Sequence, residues 1–128
     1  MDSTNRTQEL LRRLRRAPLN YKLAAVDYHW ARKAELAVQE ADDRYRQGDV
    51  AGAVARMMEL LAAATTAQAA LRQSDSAFSR LAVGWMQTHV VAALYRSDVW
   101  TGFLWDDQAA EFQPLREACR DYGMAVDW

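Results

Sequence analysis

An apolar run over residues 81–95, LAVGWMQTHVVAALY, limits the folds that this chain can adopt. Within the run only Gln87, Thr88 and His89 are clearly polar. An ordinary surface helix carries one apolar stripe, whereas a helix of this composition is apolar around most of its circumference and needs cover on several sides. The run therefore predicts a central helix with two neighbours, which are either two helices of the same chain or one helix and a partner molecule.

Two separate rows of residues support the expectation of two neighbours. On the 3.6-residue period of a helix, side chains spaced three and four apart lie in one row. Because the two rows point in different directions, each predicts a contact with a different neighbour. The first row contains Phe78, Leu81, Trp85, Thr88, Ala92, Tyr95 and Val99, and the second contains Val83, Val90 and Leu94.

A membrane-spanning helix is the main alternative for such a run. A span needs about 20 consecutive apolar residues. Arg80 and Arg96 bound this segment, and they lie only about 24 Å apart along a helix axis. We therefore predict that the chain has no membrane span.

The rest of the chain also has the composition of a helical protein. Its 128 residues include only five glycines and two prolines, and its aromatic and β-branched residues do not alternate as they would in strands. A chain of this length can bury a core as one domain. We therefore predict a single all-α domain over residues 1–128, folded as an antiparallel up-down bundle. Its three long helices are expected at about 18–47, 50–73 and 75–99, with a basic N-terminal helix in 1–17 and an acidic C-terminal helix in 106–123.

A clear helix boundary separates the first two long helices. Gly48 suits the end of one helix and Asp49 suits the N-cap of the next. Around this boundary, residues 45–61 read YRQGDVAGAVARMMELL. This segment resembles the turn and second helix of a tetratricopeptide repeat, with Gly48 and Ala53 at the small-residue positions. The resemblance covers about half of one repeat, and it implies an antiparallel pair of helices.

Charge and cysteine content restrict the setting and the partners. The net charge is −1, so the whole molecule has no strong attraction to nucleic acid or to an anionic membrane. The charge is unevenly distributed, because residues 1–33 carry eight basic and three acidic side chains, whereas residues 104–128 carry six acidic and two basic ones. The single cysteine, Cys119, excludes an intramolecular disulfide, and no apolar segment typical of a signal peptide follows the charged start. A cytoplasmic location is therefore expected.

The sequence has no pattern typical of a catalytic or metal site. It contains no Glu-x-x-His motif, no His-Glu-x-x-His motif and no paired cysteines. Asp42 and Asp43 lie beside Arg44 and Arg46, a pattern typical of a solvated helix end. We therefore predict no catalytic residue, no metal ligand and no cofactor.

The chain has two histidines, His29 and His89, and two interpretations of His89 are open. His89 lies in the most apolar helix, where it could line an internal ligand pocket together with Trp85 and His29. The other interpretation is a buried structural histidine satisfied by one hydrogen bond. The structural interpretation is favoured, because no acidic residue lies within one helical turn of His89 to orient its ring.

These observations predict a non-enzymatic protein that acts by protein–protein interaction, as an adaptor, a regulator or an assembly subunit. The surplus apolar surface of the helix at 75–99 and the Trp-rich C-terminal third are the expected contact surfaces. A homodimer is the simplest form of such an interaction. The expected contact residues are Trp85, Val90, Leu94, Trp100, Trp105 and Trp128.

Two alternative functions remain open from the sequence. One is a nucleic-acid-binding accessory subunit, which would use the N-terminal arginines to contact phosphates. The other is a small-molecule-binding bundle with His89 in an internal pocket. The arginines of the first alternative are Arg6, Arg12, Arg13, Arg15 and Arg16.

Overall fold

The computed structural model describes residues 19–74, 76–100 and 110–124, with side chains described from Lys22 onward. The basic helix predicted for 1–17 and the first residues of the acidic helix predicted for 106–123 lie outside these ranges. Within them the predicted all-α fold is confirmed, because the described residues form helices and no strand.

Three long helices pack against one another, and a short fourth helix packs against the second. Their positions agree closely with the ranges predicted for the long helices, except at the end of the third. The helices are α1 (Leu19–Arg46), α2 (Val50–Arg72), α3 (Ala77–Tyr95) and α4 (Gln113–Asp121).

Polar contacts define the relative directions of α1 and α2. Arg56 Nε of α2 donates to Glu40 Oε2 of α1 at 2.5 Å. Nearer the connection, Arg44 Nη1 donates to the Gly52 carbonyl at 3.2 Å. Residues that precede the connection thus face residues that follow it, so α1 and α2 form the antiparallel pair that the sequence predicts. The hydrogen bond and the charge of Arg56 also hold the pKa of Glu40 below its ordinary value.

The ends of these helices follow from local chemistry. Gly48 adopts a φ of 86°, which favours glycine, and it terminates α1. The Asp49 side chain then accepts a hydrogen bond from the Gly52 amide at 2.9 Å and caps α2. The Ser76 hydroxyl caps α3 by accepting from the Ser79 amide at 3.1 Å. The helix boundary that the sequence predicts at Gly48 and Asp49 is therefore that of the folded protein.

The core lies where α1, α2 and α3 meet. α1 contributes buried alanines at 34, 37 and 41, whose small size lets the neighbouring helices approach closely. Larger buried side chains come from all three long helices and from the region of α4. They are Leu23, Trp30 and Val38 of α1, together with Met57, Leu60, Met86, Val90, Leu94, Phe112, Leu115 and Cys119.

One described helix, α2, is long and apolar enough to cross a membrane by length and composition. It is not the helix that contains the 81–95 run, for which the sequence raised the question. Core helices pass the same test of length and hydropathy, so the result is weak evidence for a membrane span.

The third long helix ends earlier than predicted, at Tyr95 rather than near Val99. The cause is Asp42 of α1, whose Oδ1 accepts hydrogen bonds from the Ser97 hydroxyl at 2.7 Å and from the Asp98 amide at 2.9 Å. These bonds hold a turn at 96–97, and another helical segment begins at Asp98. Asp42 is itself buried, so the expectation that it belongs to a solvated helix end is wrong.

The short helix α4 is attached to the bundle through Tyr122, at its C-terminal end. Gln68 of α2 donates its Nε2 hydrogen to the Tyr122 hydroxyl at 2.7 Å, and Gln87 of α3 donates to the Tyr122 carbonyl at 3.4 Å. Burial raises the pKa of the Tyr122 hydroxyl above its ordinary value. One residue thus joins α4 to two of the three long helices.

Replacing Asp42 by alanine is expected to lower the free energy of unfolding by about 2–4 kcal/mol, because the Ser97 hydroxyl and the Asp98 amide would lose a charged acceptor inside the protein. Asp43→Ala is the matched control. The Asp43 carboxylate is exposed and pairs with exposed Arg46 at 3.1 Å, a contact worth at most about 1 kcal/mol. Urea unfolding followed by circular dichroism measures both effects. Equal losses in the two variants would contradict the role given to Asp42.

Candidate functional site

One side of α3 leaves large apolar side chains on the protein surface. In the part of the chain with described side chains, five large apolar residues are exposed, and three of them lie in one row of α3. They are Leu81 (45% exposed), Trp85 (39%) and Tyr95 (42%). We call this row, together with the smaller exposed residues between them, the outer face of α3. Its members are Leu81, Gly84, Trp85, Thr88, Ala92 and Tyr95.

The opposite side of α3 packs into the core. Ala82, Met86, Val90, Ala93 and Leu94 are buried, and the 100° step of a helix places them away from the outer face. Of the two rows read from the sequence, the bundle therefore covers the one that contains Val90 and Leu94. In the other row Leu81, Trp85 and Tyr95 are left accessible, whereas its last member, Val99, lies beyond the end of α3 and is buried.

Burial separates the predicted contact residues into available and unavailable ones. Trp85 lies on the outer face, as expected for a contact residue. Val90 and Leu94 have no exposed surface, and Trp100 is 7% exposed. These three side chains are unavailable to a partner, because the chain itself covers them, so the prediction that they are contact residues is wrong. Trp105 and Trp128 lie outside the described residues.

The outer face carries no charged side chain, and one of its two hydroxyl groups, that of Thr88, is satisfied within the helix. The Thr88 hydroxyl donates to the Gly84 carbonyl at 2.9 Å. At the C-terminal end of the face, the Tyr95 ring packs edge-on against the Trp100 ring, with 4.9 Å between centroids. Covering this face with apolar surface would therefore strand neither a charge nor the threonine hydroxyl.

A second candidate site is built around His89. Its Nε2 contacts Oδ1 of Asp27 on α1, and both side chains are partly exposed. The sequence interpretation found no acidic partner for His89 because it searched within one helical turn, whereas Asp27 lies 62 residues away along the chain. The expectation of a fully buried histidine is corrected, while the expectation of one hydrogen-bonding partner agrees with the structure.

His89 borders an open groove of about 380 Å³ between α1 and α3. Carboxylate, amide and guanidinium groups line it above a floor of alanine and valine. Within the described residues no group of three or more His, Cys, Asp or Glu side chains could hold a metal ion. The lining residues are Ala31, Glu35, Val38, Gln39, His89, Ala93 and Arg96.

Two residues that the sequence placed with His89 do not line this groove. His29 is exposed on α1, where its ring packs edge-on against Trp30 at 5.7 Å between centroids. Trp85 belongs to the outer face of α3. The five N-terminal arginines of the nucleic-acid alternative lie outside the described residues.

Cys119 is fully buried, and desolvation raises the pKa of its thiol from the ordinary value of 9.0 to about 12. The thiolate is the reactive form of cysteine. Burial and this raised pKa keep the thiol protonated near neutral pH, which disfavours nucleophilic reaction of Cys119 in the folded protein. Because its pKa is higher in the folded than in the unfolded state, the thiol contributes stability that is fully present below pH 9 and is lost as the pH rises towards 12.

We expect the Cys119 thiol of the folded protein to react with an aromatic disulfide reagent at pH 8 at least about 100-fold more slowly than the thiol of the urea-unfolded chain, because folding removes both access and the thiolate form. The absorbance of the released thiolate measures the rate. The unfolded chain is the internal control. Equal rates in the two states would contradict the described burial of Cys119.

Comparison with known proteins finds no relative from which a function could be transferred. No protein-family model matches the chain, and neither a curated protein nor a solved structure matches it. Its function therefore has to be inferred from its own surfaces.

Proposed function

We propose that this protein is a non-enzymatic helical bundle that acts by protein–protein interaction, and that it self-associates through the outer face of α3. The observation that carries the proposal is the exposure of Leu81, Trp85 and Tyr95 in a single row. Single exposed apolar residues are common, but a contiguous row is typical of an interaction surface. The row extends for about 21 Å along the helix axis.

The electrostatics of the surface support association between identical molecules. The outer face is uncharged, so two copies bring no like charges into contact along it. The net charge of the whole chain is −1, which gives little long-range repulsion between copies. The hydrophobic effect is therefore opposed by little charge repulsion when two such faces meet.

The size of the face sets the expected strength of the interaction. Stable interfaces bury about 1,200–2,000 Å² of surface in total. The area that one helical row on each copy can bury lies at or below the lower end of that range. We therefore expect a dissociation constant in the micromolar range, which corresponds to about −8 kcal/mol. The dimer should form and dissociate with protein concentration.

Trp85→Glu is expected to make the protein monomeric at concentrations where the unsubstituted protein dimerises, because dimerisation would then bury a carboxylate in an apolar contact. Size-exclusion chromatography with light scattering across about 1–500 µM spans the expected dissociation constant. Tyr28→Glu is the matched control, since Tyr28 is an aromatic residue of α1 that is 73% exposed and lies outside the outer face.

The Tyr28→Glu protein should keep the concentration dependence of the unsubstituted chain, and circular dichroism should show the same helix content in all three proteins. A monomeric mass for the unsubstituted chain throughout the range would refute self-association. The ratio of absorbance at 260 and 280 nm in the same runs also tests for bound nucleic acid, the expected result of the alternative that uses the N-terminal arginines.

The contact between His89 and Asp27 favours a second candidate function, the binding of a small molecule in the groove between α1 and α3. The Asp27 carboxylate holds the His89 ring through Nε2, which orients the imidazole at the groove. Arg96 supplies a guanidinium group on the same wall. A guanidinium group pairs well with carboxylates, so the proposed ligand class is a small carboxylic acid.

We expect small carboxylic acids to shift backbone amide resonances of groove residues in ¹H–¹⁵N spectra. His89→Ala should weaken the binding by about tenfold or more, through loss of one hydrogen bond to a charged group. His29→Ala is the matched control, because it removes the other histidine and leaves the groove intact. Binding that is absent, or that is equally strong in the His89→Ala protein, would refute this second function.

A further inference from the structure

We propose that two copies of this chain pair through their outer faces in an antiparallel arrangement, with a two-fold axis passing beside Thr88. The inference rests on the self-association proposed above and specifies its geometry. In a two-fold dimer the same patch of both copies forms the contact. In an antiparallel pair, the side chains at one end of the face therefore have to fit against those at its other end.

The spacing of the outer face has this property. Thr88 lies seven residues after Leu81 and seven residues before Tyr95. An antiparallel pair centred on Thr88 therefore brings Leu81 of one copy to the level of Tyr95 of the other. The same operation brings the indole of Trp85 close to Ala92 of the other copy, where the small side chain leaves room for it.

A parallel pair would pack the same residues less well. A two-fold axis along the helices would bring each residue to the level of its own copy. Trp85 would then meet Trp85, while Gly84 would meet Gly84 and Ala92 would meet Ala92. Large side chains would hold the helices apart where the small ones leave gaps, and such gaps forfeit dispersion contacts.

Electrostatics favour the same choice. Antiparallel helices place the positive end of each helix dipole beside the negative end of the other, whereas parallel helices place like ends together. Arg80 and Arg96 lie about 160° apart around α3, so they stand on opposite edges of the face. When antiparallel pairing brings them to the same level, they remain on opposite sides of the interface.

The internal hydrogen bond of Thr88 is compatible with a position at the axis. Its hydroxyl already donates to the Gly84 carbonyl at 2.9 Å. Burial beside the axis therefore leaves no unsatisfied hydroxyl hydrogen. The methyl group of the same side chain adds apolar surface at the centre of the contact.

Cysteine cross-linking distinguishes the two arrangements. Three single variants, Thr88→Cys, Leu81→Cys and Tyr95→Cys, are each treated with a short bismaleimide at a concentration where light scattering shows dimer. Tyr28→Cys is the off-face control, and the unsubstituted chain controls for Cys119, which is buried. A cleavable tag on the Leu81→Cys protein gives the mixed dimer a distinct mass.

The antiparallel arrangement predicts that Thr88→Cys cross-links to itself at least about tenfold faster than Tyr28→Cys, because the dimer raises the effective concentration of the two thiols. It also predicts efficient cross-linking in a mixture of Leu81→Cys and Tyr95→Cys, with little cross-linking of Leu81→Cys alone.

Two results would overturn the inference while leaving self-association in place. One is rapid cross-linking of Leu81→Cys to itself, which indicates a parallel pair. The other is a Thr88→Cys dimer that cross-links no faster than the Tyr28→Cys control. By contrast, a monomeric mass for the unsubstituted chain refutes self-association itself, and with it this geometry.

Discussion

The structure depends on the burial of one side of α3 against α1 and α2. Met86, Val90 and Leu94 are almost completely removed from solvent there, and burial of a side chain of this size contributes about 1.5–3 kcal/mol. The neighbouring helices approach closely because α1 presents alanines to the core. This contact determines the rotation of α3 about its own axis, and the rotation in turn determines which α3 residues remain on the surface.

Polar contacts then fix details that apolar packing leaves undetermined. Asp42 ends α3 by holding the turn that contains Ser97, and Tyr122 joins α4 to both α2 and α3. Asp27 and His89 link α1 to α3 at the surface. Each of these bonds has a direction and a specific partner, whereas the hydrophobic effect is non-directional. The polar contacts therefore specify helix ends and neighbours within an arrangement that apolar burial makes stable.

The unusual property of α3 is that its two sides are both apolar. Burial of the inner side stabilises the folded chain. The outer face remains as exposed apolar surface that the fold itself does not require. Surface helices usually carry polar residues on such a face. The outer face lies on α3 alone, whereas the His89 groove lies between α3 and α1.

The all-α class, the positions of the three long helices and most of their ends can be read from the sequence, because they follow from composition, periodicity and local signals such as Gly48 and Asp49. The sequence also indicated that the run at 81–95 has more apolar surface than one neighbour can cover. It could not determine which of the two rows faces the core, since Trp85 and Val90 are both apolar. Packing of the helices sets which row is buried, and it also brings Asp42 and His89 to their partners, because these contacts join residues 55 and 62 positions apart. Contacts of that kind exist only once the helices have packed.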